Sequence, residues 1–207
     1  VGHVVLYQNT ASNNTGVGHG ALDANTSASN NTAVGYNSLG ANTTGASNTA
    51  FGEGSLQANT TADNNTAMGR LALAATTTGA GNTAVGYASQ QTLVVGSNNT
   101  SLGFLSLYVS TASNNTAVGY NSLAANTTGT ANTAMGYNAG LSNTTGTALS
   151  AFGQSAGQAN TTGFANTAMG VSALSANTTA SYNTAIGYQS LTANTTGTSN
   201  TAFGEGS

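Results

Sequence analysis

Apolar and small side chains return along this chain at fixed places in a phrase of 17 residues, read most cleanly from Asn115 to Ala131. Its marker is the glycine of Asn-Thr-Ala-Val-Gly, which recurs from Gly18 to Gly204 at steps of 17 residues, with one step of 16 from Gly103 to Gly119. The residue before the marker is apolar in every copy: Val17, Val34, Phe51, Met68, Val85, Leu102, Val118, Met135, Phe152, Met169, Ile186 and Phe203. Three residues after the marker stands only Ala or Ser, as at Ala21, Ser38 and Ser122. The next position is a looser apolar row of Leu22, Leu39, Leu56, Leu73, Leu107, Leu123, Leu174 and Leu191, interrupted by Gln90, Gly140 and Gly157. Repeats this short bury an apolar face only against their neighbours.

A 17-residue unit is too short for a helical-pair repeat, and its Thr, Val, Asn and Gly content is poor for helices. The pattern predicts a strand of about five residues, a bend at the glycine, a second short strand and an Asn-Thr-Thr-Gly turn, together one coil of a solenoid. The expected architecture is all-β: one parallel β-solenoid, or β-roll, over residues 1–207 with about twelve coils. At roughly 4.8 Å per coil that makes a rod of roughly 55 to 60 Å. The Asn four residues before the marker, at Asn14, Asn31, Asn48, Asn65, Asn82, Asn99, Asn115, Asn132, Asn166, Asn183 and Asn200, is expected to stack from coil to coil as an amide ladder, broken at Leu149.

A longer period overlies the short one. Gly2 to Gly103 and Gly103 to Gly204 are each 101 residues, so blocks 2–102 and 103–203 read as a duplication. Near the seam, Leu93, Val94 and Val95 replace the Asn-Thr-Thr turn, and with Leu107 and Tyr108 they form an apolar cluster read either as a contact between chains or as core adjustment around the one-residue deletion. The chain opens on Val1 and stops at Ser207 inside a repeat, which reads as an excerpt of a longer protein.

Composition narrows the chemistry. Charged residues are 2% of the chain, namely Arg70, Asp23, Asp63, Glu53 and Glu205, which excludes an electrostatic nucleic-acid partner. No run of about 18 apolar residues is present to span a membrane. Cysteine is absent, so neither disulfides nor thiolate metal sites enter, and proline is absent, which suits a backbone whose N–H groups are all wanted for pairing. A disordered chain of this composition has no reason to hold one apolar register throughout.

His3 and His19 share a repeat position on adjacent coils, but with no recurring carboxylate beside them they read as a solvated face rather than a metal pair. No cofactor, catalytic set or calcium-binding pattern can be assembled, so the segment is expected not to be an enzyme. Tyr36, Tyr87, Tyr120, Tyr137 and Tyr188 follow the marker at a position shared with His19, Glu53, Arg70, Phe104 and Gln154, a row suited to cross-coil packing or to stacking on sugars. Asn42, Asn59, Asn126, Asn143, Asn160, Asn177 and Asn194, with Asn13, Asn30 and Asn64, match the glycosylation sequon, although turn-forming Asn is the plainer account.

The phrase Asn-Thr-Ala-Val-Gly-Tyr-Asn-Ser-Leu resembles the Asn-Ser-x-Ala-Ile-Gly-x-x-Ser head repeat of YadA-like trimeric autotransporter adhesins and is similar to repeats of phage tail fibres. The resemblance covers nearly the whole chain. It implies a left-handed β-roll, three chains side by side, and adhesion at a cell surface. The unit here is longer than that family's usual one, and no stalk, neck or anchor is present in this stretch. The expected function is an extracellular fibre segment, of a bacterial adhesin or a phage tail fibre, that projects an end binding a receptor or cell-surface glycan. The alternatives are a self-assembling extracellular filament or matrix protein and, less favoured, an ice-binding solenoid using Thr43, Thr60, Thr127, Thr144, Thr161, Thr178 and Thr195.

Overall fold

Thr-Ala followed by a bulky apolar residue suits an extended backbone, and in the computed structural model, which describes residues 5–207, this phrase or a close variant forms every strand. The chain is all-β and divides into two units, the first ending at Leu102 and the second spanning Gly103–Ser207, at the seam between the two sequence blocks. The first unit holds β1 (Thr15–Val17), β2 (Thr32–Val34), β3 (Thr49–Phe51), β4 (Thr66–Met68), β5 (Thr83–Val85) and β6 (Thr100–Leu102). The second holds β7 (Thr116–Val118), β8 (Thr133–Met135), β9 (Ser150–Phe152), β10 (Thr167–Met169), β11 (Thr184–Ile186) and β12 (Thr201–Phe203). Within each unit every strand pairs in parallel with the next, in register with the sequence repeat, as in Thr32↔Thr49, Ala33↔Ala50 and Val34↔Phe51. Each unit is therefore a parallel β-solenoid.

The strands have three residues, not five, and among the described residues the expected second strand does not form. Its place is taken by turns containing two left-handed residues, such as Asn37 and Leu39 with φ of 51° and 50°. Backbone bonding between coils nevertheless continues around the turn. Asn37 N–H donates back to His19 O at 2.9 Å, and Leu39 and Ala41 N–H donate forward to Ser55 O and Gln57 O at 3.0 and 3.1 Å. A left-handed leucine costs about 1–2 kcal/mol, but it turns the side chain inward. Leu39 is fully buried, a gain of about 1.5–3 kcal/mol that offsets the strain.

The marker glycine is fixed by two constraints at once. Gly52 has φ 130°, and a Cβ there would lie 2.7 Å from the carbonyl of Gly69 in the next coil; at Gly35 the corresponding approach to Gly52 O is 2.5 Å. No other residue tolerates both the dihedral and the contact.

Strand alternation decides what lies inside. With three residues per strand only the middle one points inward, so Ala33, Ala50, Ala67 and Ala84 are fully buried, as are Ala117, Ala134, Ala151, Ala168 and Ala185. With Leu22, Leu39, Leu56, Leu73 and Leu93 in the first unit, and Leu107, Leu123, Leu149 and Leu174 in the second, they form the two apolar cores. The apolar row before the marker does not share this interior. It faces outward.

The exceptions in the leucine row also have a packing reason. Gly140 and Gly157 occupy the left-handed leucine position with φ of 57° and 56°, and the space they leave is filled by Leu149. A Cβ on Gly140 would lie 2.9 Å from Leu123 Cδ2 and 3.1 Å from Leu149 Cδ2, and one on Gly157 would lie 3.4 Å from Leu149 Cδ1. The break in the asparagine ladder and the two breaks in the leucine row are one compensated change. In the first unit, Gln90 takes a leucine place and its Nε2 donates to Thr83 O and Ser101 Oγ at 3.0 and 2.7 Å.

Candidate functional site: the outward apolar row

Because the central Ala of each strand points inward, its two neighbours point out, and the third strand position is apolar throughout. In the first unit Val17, Phe51, Met68 and Leu102 are exposed and Val34 and Val85 half-buried; in the second Met135, Met169 and Phe203 are exposed and Val118, Phe152 and Ile186 half-buried. Phe51 and Phe203 are 54% and 67% exposed. Register aligns the side chains into a row: Phe51 opposite Met68, Met135 opposite Phe152, Met169 opposite Ile186.

Two residues further on lies the aromatic row. In the first unit His19 stacks on Tyr36 with ring centroids 5.6 Å apart, Arg70 Nε reaches Glu53 Oε2 at 3.2 Å, and the Arg70 guanidinium lies 5.8 Å from the Tyr87 ring centre. Glu53, through its hydrogen bond and then its charge, holds the Arg70 guanidinium above its ordinary pKa. In the second unit Phe104, Tyr120 and Tyr137 make a continuous parallel stack with centroids 5.4 and 5.3 Å apart. In that stack the rings of adjacent coils lie face to face, as cross-coil packing requires.

Two asparagine columns hold the coils from inside. The residues of the expected ladder, Asn31, Asn48, Asn65, Asn82, Asn99, Asn115, Asn132, Asn166 and Asn183, are buried, and Asn200 is half-buried. Their amides bond mainly to backbone, although Asn99 Nδ2 also donates to Asn82 Oδ1 at 3.2 Å. Asn48 Oδ1 accepts from Asn65 N–H at 2.9 Å, and Asn48 Nδ2 donates to Ala62 O at 2.8 Å. The amide-to-amide ladder is instead the column of the turn asparagines. Asn59 Nδ2 donates to Asn42 Oδ1 at 2.7 Å, Asn160 Nδ2 to Asn143 Oδ1 at 2.7 Å, and Asn177 Nδ2 to Asn160 Oδ1 at 3.0 Å. Where the next coil has Thr76 instead of Asn, the Oδ1 of Asn59 has no partner.

Six of the sequon asparagines, Asn42, Asn59, Asn126, Asn143, Asn160 and Asn177, are thus at most 1% exposed, and the folded coil has no room for a glycan on them. Asn194 is half-buried, and Asn13, Asn30 and Asn64 are exposed. In the threonine row the hydroxyls of Thr43, Thr127, Thr144 and Thr161 each donate to the next coil's Thr carbonyl at 3.0 Å, a structural bond along the solenoid. Sequence reasoning treats these asparagines as turn formers and misses the buried amide column they make. The signal was present: Asn recurs at a fixed position three residues before Gly or Ala, whose carbonyl receives its second Nδ2 bond, as Asn42 to Gly45 O at 2.9 Å.

The cluster read as a chain contact divides. Leu93 and Leu107 are fully buried in the cores of their own units and cannot meet another chain, because Leu93 occupies the turn-asparagine slot and Leu107 the inward leucine slot. Val94 and Val95 remain exposed in the threonine places, and Tyr108 is half-buried. His3 lies outside the described residues. Among the described residues no three His, Asp or Glu side chains gather to hold a metal, and no helix is long and apolar enough to cross a membrane.

No family model, curated protein or solved structure matches the chain. Its own geometry therefore carries the functional reading.

Proposed function

We propose that this chain is a structural, non-enzymatic segment of an extracellular fibre, in which copies associate side by side through the outward apolar row and the assembly projects an adhesive or receptor-binding end. The observation that carries this is the row itself. Each coil spends its one outward bulky position per strand on Val, Phe, Met, Leu or Ile, in strict register and without a charge. A partner that covers such a row has to present apolar groups at the same axial spacing, roughly 4.8 Å. Another copy of the solenoid does so by construction, which favours self-association over a partner of unrelated shape. The resemblance to trimeric adhesin repeats adds an expectation of three copies, placement outside the cell, and a glycan or protein receptor bound beyond this row.

Sedimentation of the purified chain over a concentration series, with electron microscopy alongside, tests the reading. Discrete particles of a small whole number of chains are expected, and Phe51→Ser with Phe152→Ser is expected to shift them toward single chains without loss of the β spectrum. Single chains at every concentration would overturn it, whereas filaments that lengthen with concentration would favour end-to-end growth into a matrix.

A further inference from the structure

The chain has three methionines, and all three occupy the same one of the repeat's positions, the outward apolar row. Met68, Met135 and Met169 are 46%, 41% and 40% exposed, so each thioether is open to small reagents in the single chain. Each is also opposite a phenylalanine in register: Met68 opposite Phe51, and Met135 and Met169 on either side of Phe152. On their other sides stand Val85, Val118 and Ile186. Along the row, the three residues that can be chemically switched from apolar to polar are therefore flanked by side chains that cannot hydrogen-bond.

We propose that Met68, Met135 and Met169 are a peroxide-responsive modification site that governs side-by-side association; the inference rests on the assembly reading above. A thioether lone pair attacks one oxygen of a peroxide, the S–O bond forms as the O–O bond breaks, and the departing hydroxide takes up a proton to leave as water. The sulfur is oxidised by two electrons and the peroxide reduced by two. The product sulfoxide is polar and chiral, and reversal needs a methionine sulfoxide reductase with a dithiol donor, which returns the thioether, a disulfide and water. Placed among Phe51, Phe152 and the aliphatic neighbours, the sulfoxide oxygen loses its water on association and gains no donor from them, so oxidation works against assembly. Association in turn covers the sulfurs, so the assembled form resists oxidation and the free chain is the reactive species.

The test treats dilute, unassembled chain and concentrated, assembled chain with hydrogen peroxide, follows sulfoxide formation at each methionine by peptide mass spectrometry, and measures association by sedimentation. The expected result is faster oxidation of all three in the dilute chain, and a rise of about tenfold or more in the concentration needed to assemble after oxidation, a shift that three buried polar groups readily supply. The Met68→Leu, Met135→Leu, Met169→Leu variant is expected to assemble with the same concentration dependence before and after peroxide. Equal assembly of the oxidised and untreated chain, with the untreated chain assembling normally, would overturn the methionine inference and leave the fibre reading standing. An untreated chain that stays single at all concentrations would overturn both.

Discussion

Replacing Asn48 by Ala measures what the buried amides contribute. Asn48 is fully buried; its Oδ1 accepts from Asn65 N–H at 2.9 Å and its Nδ2 donates to Ala62 O at 2.8 Å. Truncation removes two hydrogen bonds of about 1 kcal/mol net each and leaves the Asn65 N–H buried without an acceptor, a cost of about 1–3 kcal/mol. The Ala62 carbonyl suffers less, because Asn59 Nδ2 still reaches it at 3.1 Å. The backbone bond from Asn48 N–H to Asn31 Oδ1 at 2.9 Å does not involve the Asn48 side chain and is retained. The expected loss is about 2–4 kcal/mol, a large part of the 5–15 kcal/mol that a folded domain typically holds. Urea unfolding followed by far-ultraviolet circular dichroism reads it as a lower midpoint at unchanged slope. The comparison is Thr44→Ala, an exposed substitution in the same coil, expected to change stability by no more than about 0.5 kcal/mol. If Asn48→Ala costs no more than Thr44→Ala, the amide column is ornamental to stability and the account of the interior given above is wrong.

Gly52→Ala is expected to prevent cooperative folding of its unit or lower its thermal midpoint sharply, because the Cβ would combine φ 130° with a 2.7 Å approach to the Gly69 carbonyl; a thermal melt within error of wild type would refute the close-approach argument. Gly140→Leu alone is expected to destabilise by about 1–3 kcal/mol through overpacking against Leu149. Gly140→Leu and Gly157→Leu with Leu149→Asn together restore the common coil and should recover that loss, a coupling that a mutant cycle in urea resolves. Arg70→Gln removes an exposed pair with Glu53 and is expected to leave the melting temperature unchanged at both low and high salt.

The sequence showed the period, the parallel coil and the block seam plainly, since each is a matter of spacing, and spacing survives projection onto one dimension. The direction of a side chain did not. Apolarity alone does not tell whether Phe51 and Met68 point in or out: the short strand leaves room for one inward residue, and Ala50 and Ala67 claim it. The expected second strand failed for a related reason. Left-handed leucine is uncommon enough that Ser-Leu reads as extended, and only the φ of 49° at Leu56 reveals a turn that drives the side chain inward. The pairing of Leu149 with Gly140 and Gly157 was legible only as three separate irregularities, because the contact that unites them crosses from coil to coil.

The two faces of the strand vary in different ways, and the difference bears on function. Inside, the middle position is Ala in nearly every copy, with Gly16 and Ser101 as the departures, because the interior there fixes volume. Outside, the third position ranges over Val, Phe, Met, Leu and Ile, from small to large, and never turns polar. Packing within the coil cannot impose that rule, since a side chain that is half in water is free to be Thr or Ser as far as its own coil is concerned. The first strand position, equally outward, is indeed Thr or Ser throughout. A constraint on apolarity without a constraint on size is what a broad surface covered by an adaptable partner imposes, and Met and Phe are the side chains best suited to such adjustment. In the assembly proposed above, the outward row is the surface to be covered, and a second copy would present apolar groups at its spacing.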